Sequence, residues 1–330
     1  MMGKPITNDL TWSVSRARLF RSCQRAYYYA YYGAWGGWSA DAPASARLLY
    51  RLKQMKTFAL WGGSIVHEVI RDALTRCAME RKPVVAADLQ AHARALLRKG
   101  WVESRDRAWE QDPKRATNLF EHYYGEGRDI PREQTDALKE NIYAALENFA
   151  QCDTLAEVRD LPYNCWAEID KLDSFIGGEL PADDRAPAMP LKVWCAVDLG
   201  YFDQQGVLHI IDWKTGTEHK EELRLQLACY AIYAMKKYNL PLEKITLGGV
   251  ILNDGGRLSP YAVSQENLVA ATDQMLKSAC AMRGKLQDIA ANTANEEDFE
   301  FTQNPAFCAN CPYRQLCPQV GGTMPDTSFG

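Results

Sequence analysis

The residues best placed to do chemistry lie between Val197 and Gly216, where Asp198 and Asp212-Trp213-Lys214 interrupt two apolar runs. Val193–Phe202 and Val207–Trp213 are rich in β-branched and aromatic residues, and Asp203–Gly206 supplies turn chemistry between them. The stretch therefore reads as a β-hairpin. A carboxylate in a buried strand is costly unless it is paired or holds a metal. Lys214 lies two positions past Asp212, so on a strand both project from one face. Two carboxylates on facing strands are hard oxygen ligands that suit Mg2+ or Mn2+. Such a cation activates water and neutralises charge on a phosphodiester. Lys214 would then orient the nucleophile or stabilise the pentavalent phosphate. On spacing alone, an ordinary ion pair at a strand end is the commoner outcome. Gln226 and Tyr230 are four apart on the next helical segment and share a face. Gln226 suits a phosphate or a coordinated water, and Tyr230 suits a substrate contact or core packing.

A second set is cysteine. Cys308-Ala309-Asn310-Cys311 is a C-x-x-C pair, and Cys317 follows it closely. Three thiolates at this spacing leave a fourth ligand to be found, because Zn2+ and iron–sulfur clusters usually take four. Cys23, on a basic N-terminal helix, is the choice. Cys77, Cys152, Cys165, Cys195, Cys229 and Cys280 fall in periodic apolar segments and read as packing residues. Spacing does not choose between zinc and an iron–sulfur cluster. The N-terminus lacks a secretory h-region, and no apolar run reaches the ~18 residues of a membrane span. The expectation is a reducing, cytoplasmic setting without membrane contact, which disfavours a disulfide.

The elements that must position these groups follow from the chain at large. With 330 residues, 47% hydrophobic and 24% charged, it can bury a large core. A net charge of −4 argues against indiscriminate polyanion binding, yet residues 1–60 hold nine Lys/Arg, two Asp/Glu and eleven aromatics. Cations interleaved with rings suit single-stranded nucleic acid, although the same rings serve a core equally well. A helix is expected over Thr11–Tyr32, with Arg16, Arg18, Arg21 and Arg25 on its polar side. Arg47–Met79 reads as helical but interrupted at Gly62-Gly63, with Ser64 as a cap. His67 near that start reads, by itself, as a packing histidine. Ala87–Trp101, Arg115–Tyr124 and Arg132–Phe149 read as an inserted helical region that could cover a cleft or dock a protein partner. Leu161–Asp173 opens a strand-rich section, and Gly177–Pro190 reads as an exposed loop. After the hairpin come a helix at Lys220–Tyr238, a strand at Lys244–Asn253, an edge strand at Arg257–Val263 and a helix at Gln265–Ala291. Asn292–Glu300 is a connector and Gly321–Gly330 a disordered tail. The order implies a mixed sheet flanked by helices. The expected parts are 1–75, an insertion at 76–160, a core at 161–291, a cysteine segment at 292–320 and the tail.

Together these motifs resemble the PD-(D/E)XK nuclease superfamily. The likeness is to its RecB-like iron–sulfur branch, which includes the AddB nuclease domain and CRISPR-associated RecB-like exonucleases. His67 after Gly62-Gly63 matches the family's metal-binding histidine, and Asp198 its first acid. Asp212-Trp213-Lys214 matches the acid-x-Lys signature, in which the carbonyl at the Trp213 position also binds metal. Gln226 to Tyr230 matches the Gln-x-x-x-Tyr motif. Cys23, Cys308, Cys311 and Cys317 match the one-plus-three pattern that holds a [4Fe–4S] cluster. Two departures are that Asp212 stands where glutamate is commoner and Cys195 where a glycine is usual. The resemblance implies a restriction-endonuclease-like fold clipped by the cluster at the chain ends. It also implies a Mg2+- or Mn2+-dependent deoxyribonuclease, an exonuclease on single-stranded DNA or DNA ends. The rival expectation is a non-cleaving nucleic-acid-binding or assembly subunit that keeps the fold.

Overall fold

A computed structural model describes residues 7–125, 129–216 and 220–324. The first strand, β1 (Thr11–Trp12), leads into α1 (Val14–Ser22) and α2 (Gln24–Tyr28). Ser13 caps α1 by accepting the Arg16 N–H. The single helix expected over Thr11–Tyr32 is therefore two. Cys23, extended at φ −163°, separates them and accepts the Ala26 N–H on its sulfur at 3.4 Å. A π-helical turn at Tyr29–Gly33 follows, then α3 (Ala44–Lys53) and α4 (Phe58–Glu80). The break in this second helical stretch falls at Gln54–Thr57, and Thr57 is the cap. Helix α4 runs through Gly62-Gly63 without interruption. Glycine serves packing here: a Cβ on Gly62 would come within 2.8 Å of Leu138.

Helices α5 (Ala86–Arg105), α6 (Phe120–Tyr124), α7 (Arg132–Gln151) and α8 (Asp153–Val158) follow. The helix expected from Arg115 begins only at Phe120, because Leu119 bridges to Lys56. These helices are not an appendage. Leu89, Ala93, Ile142, Leu146 and Phe149 pack with Ile65, Val66 and Val69 of α4 against Leu199, Ile211, Trp213 and Val250 of the sheet. They form the helical layer on one sheet face, and the boundary expected at 75/76 falls inside α4.

The sheet comprises β2 (Trp166–Leu180), β3 (Met189–Phe202), β4 (Leu208–Lys214), β5 (Ile245–Ile251) and β6 (Arg257–Tyr261), together with β1. Strands β2 and β3 extend into the segment expected as a loop, leaving only residues 181–188 between them. β3 carries β2 antiparallel along one edge, with β1 parallel and β4 antiparallel on the other. β4 pairs parallel with β5 through α9 (Lys220–Tyr238), and β6 is the antiparallel edge. Helices α9 and α10 (Gln265–Gly284) cover the second face with α1, in a core that includes Phe20, Tyr27, Val193, Tyr230 and Met275. Helix α10 stops at Gly284, short of the expected Ala291. The chain ends in α11 (Pro305–Ala309) and the cysteine segment. Gly322 and Thr323 donate backbone hydrogen bonds to Cys317 and Gln315, so the expected tail begins as ordered chain. The rest of that tail, 325–330, lies outside the described residues.

One irregularity in the sheet matters for the site. Val193, Cys195 and Val197 face the α9–α10 core, whereas Leu199 and Tyr201 face the α4–α7 core, although all are odd-numbered. A regular strand keeps one parity on one face, so β3 turns over at Asp198. Its neighbour β2 does likewise at Asp170, whose φ of +43° is left-handed.

Candidate active site

The β3–β4 ladder stops at the pair Leu199–Ile211, and beyond it β4 keeps pairing only with β5. Asp198 and Asp212 flank this divergence. The Trp213 N–H, freed from β3, donates to Asp198 Oδ2 at 2.8 Å. A carboxylate thus replaces the backbone acceptor that the ladder would have supplied. Asp198 Oδ1 faces His67 Nδ1 of α4 at 3.3 Å.

Asp212 is 1% exposed. Lys214 Nζ lies 2.6 Å from its Oδ2 and donates to Gln226 Oε1 at 3.1 Å. Gln226 Nε2 donates to Asp212 Oδ1 at 2.9 Å and to the Tyr230 hydroxyl at 2.6 Å. The Tyr230 hydroxyl donates to the Ala196 carbonyl at 2.5 Å. That carbonyl lies on the edge of β3 between its pairings with β1 and β4. Helix α9 therefore fills the gap with side chains where the sheet has no strand. The Trp213 indole is buried edge-on to Phe149, centroids 5.3 Å apart.

Burial, then the charge of Asp198, pushes Asp212 up to about 6, against the attraction of Lys214. His67 is pulled down by burial, but its hydrogen bond to Asp198 and the charges of Asp198 and Asp212 outweigh this, and its net shift is upward. Burial and Asp198 also raise Asp170. Asp170 faces Arg71, one helical turn beyond His67, at 3.8 Å. Asp170 is not among the site residues expected from the sequence. No local signal singles it out, because its strand also carries Glu168, Lys171 and Asp173. Ser13, the cap of α1, and Ser15 also border the site. They line a cavity of about 420 Å3 with Lys214, Gln226 and Tyr230.

The four arginines of the N-terminal arm divide. Arg16 donates to the Thr11 carbonyl and lies over the Tyr31 ring at 4.2 Å. Arg25, its side chain only 11% exposed, donates to the Phe299 carbonyl and to Glu296 Oε1 at 2.7 Å. Arg16 thus ties the N-terminal arm to itself, and Arg25 ties it to the rest of the fold. Arg18 and Arg21 are 55% and 60% exposed.

Cys23, Cys308, Cys311 and Cys317 surround one small apolar cavity with Phe307 and Tyr313. Burial raises the Cys311 thiol to about 12. Nearby, the Tyr29 hydroxyl donates to Glu296 at 2.9 Å, a second tie between the chain ends. Among the described residues no group of three or more His, Cys, Asp and Glu side chains is arranged to hold a metal ion. Asp198 is turned to His67 and Asp212 to Lys214. No described helix is long and apolar enough to cross a membrane.

No curated protein matches the chain significantly. A family model does, over residues 11–318, a span that takes in the N-terminal arm, the helical layer, the sheet and the cysteine segment. By that match, and with a mixed sheet that diverges at Asp198 and Asp212, the chain belongs to the PD-(D/E)XK nuclease superfamily.

Proposed function

We propose that this protein is a Mg2+- or Mn2+-dependent deoxyribonuclease of the RecB-like iron–sulfur branch, acting on single strands or DNA ends. The observation that carries the reading is the convergence of Asp198, Asp212, Lys214 and Gln226 where β3 and β4 part. A cation fits the donor set. Asp212 Oδ2 is buried without a hydrogen-bond partner, although Lys214 Nζ lies 2.6 Å away. Such an oxygen costs free energy until something meets it. His67, Asp198, Asp212 and the Trp213 carbonyl would hold the ion. When bound, it supplies Lewis acidity that neutralises charge on the scissile phosphate and eases ionisation of water.

The protein's own groups do the rest. Gln226 ties the Asp212 carboxylate to the Lys214 ammonium and so sets the direction of both. Lys214, 28% exposed, reaches the cavity and offers its charge to the phosphate as negative charge builds. Tyr230 fixes Gln226 from behind through the Ala196 carbonyl. Arg18 and Arg21 contact the strand. At the cysteines, four thiols around one apolar cavity support a [4Fe–4S] cluster with a structural role, clipping α1–α2 to the C-terminal segment; zinc is the alternative occupant.

The test is digestion of end-labelled single- and double-stranded DNA with Mn2+. Stepwise shortening of single strands is expected, together with a broad visible absorption in protein purified without air. Binding without cleavage under all conditions would identify a non-cleaving subunit instead. A colourless, zinc-containing protein would reject the cluster.

A further inference from the structure

The cavity at Lys214 does not end at the catalytic groups. A second cavity of about 850 Å3 shares Val14, Arg18 and Glu222 with it and continues past Arg21 and Gln274. At the junction one carboxylate spans two arginines. Glu222, in the first turn of α9, places Oε1 2.9 Å from Arg21 Nη2 and Oε2 3.5 Å from Arg18 Nη1.

We infer that Arg18 and Arg21 form a phosphodiester-binding site, and that in the free protein Glu222 occupies it as an internal anion. A nucleic-acid strand entering the trough exchanges one of its phosphates for the Glu222 carboxylate. The inference rests on the nuclease reading and deepens it.

Four observations support it. Guanidinium groups take carboxylate and phosphate in the same planar, two-pronged geometry, so one anion can replace the other. Both arginines are more than half exposed and Glu222 is 25% exposed. Exposed ion pairs contribute little stability, so giving them up costs little. Arg16 and Arg25 are committed to carbonyls, rings and Glu296, which leaves Arg18 and Arg21 as the arm's cations at the trough. Finally, Arg18 and Arg21 are three apart on α1 and would repel each other while the trough is empty. Glu222 offsets that repulsion and is itself favoured at the N-terminal turn of α9.

The experiment measures binding of a fluorescent oligothymidylate to the full chain in EDTA, with wild type, E222Q, R18A/R21A and the triple variant. All three positions are at least partly exposed, so the variants keep the fold, which thermal melts check. R18A/R21A is expected to weaken binding about tenfold and to flatten its salt dependence. E222Q is expected to tighten binding by about two- to fivefold, the scale of an exposed ion pair. In the R18A/R21A background E222Q should have no effect. Equal tightening in both backgrounds would mean that only net charge matters and would overturn the exchange. So would unchanged affinity in E222Q. Mn2+-dependent cleavage is followed in parallel. Cleavage by wild type with insensitive variants overturns the trough site alone, whereas no binding and no cleavage overturns the nuclease reading as well.

Discussion

The carboxylate centre and the cysteine cavity are the two places proposed to hold a metal group, and they are built in opposite ways. The first sits on adjacent strands of the sheet, with Asp198 and Asp212 at a designed divergence and every main partner already in place. His67, the Trp213 N–H, Lys214 and Gln226 satisfy most of its polar atoms. The second joins the ends of the chain, on short helices, around an apolar cavity. Its polar support comes from beside it, through Arg25, Tyr29 and Glu296. A site on a sheet holds its shape without its ion. A site made of chain ends would contribute to stability through what it binds.

Four outcomes break or sharpen that contrast. The largest concerns cleavage. K214A should lower Mn2+-dependent digestion by about 10³-fold, the scale of losing a charge that acts on the transition state. Its visible spectrum should stay that of wild type, and activity retained in K214A would overturn the role given to Lys214. C311S should do the reverse. It is expected to lose the visible absorption and roughly 5 °C or more of melting temperature, with cleavage falling only as the fold loosens. C229S, altering a thiol outside the cluster set, should keep the colour.

The third outcome is pH dependence. Asp212 binds its proton more tightly folded than unfolded, with its carboxyl at about 6 instead of ~3.9. Its contribution is fully present below the unfolded value and is lost as pH rises through about 6. The raised His67 acts in the same direction: its contribution is present while it is protonated and fades as pH rises. Denaturant melts in EDTA should show a loss on the order of 3 kcal/mol between pH 4 and pH 8 from Asp212, and saturating Mg2+ should shrink it. A flat profile would mean that Asp212 is not strained by burial. The smallest effect is Y29F, which removes one hydrogen bond to Glu296 and should cost about 1 kcal/mol by melts, with both colour and cleavage intact.

The hairpin was legible in the sequence because alternation and turn chemistry are local: Val193–Phe202, Asp203–Gly206 and Val207–Trp213 need no distant contact to declare themselves. The same holds for α9 and for the C-x-x-C pair. The errors lie where tertiary contacts override local preference. Gly62-Gly63 suggested a break because glycine weakens an isolated helix. In the fold it lets α4 approach Leu138, and the helix continues. That the helices expected as an insertion pack on the sheet is not visible locally either, because their apolar face gives no sign of which sheet it covers. Charge patterning likewise cannot show that Glu296 meets Arg25 from far along the chain.

What the sequence alone determined is the set of residue types and the local elements that carry them: a carboxylate in each hairpin strand, Lys214 on the same face as Asp212, and Gln226 and Tyr230 on one helix face. Those follow from strand and helix periodicity. Only the tertiary structure decided that β3 and β2 turn over at Asp198 and Asp170. It also decided that β4 leaves β3 at Leu199–Ile211, and that Glu222 sits between Arg18 and Arg21. Each depends on contacts between elements far apart in the chain, and pairing over such distances is settled by packing, which no local pattern encodes.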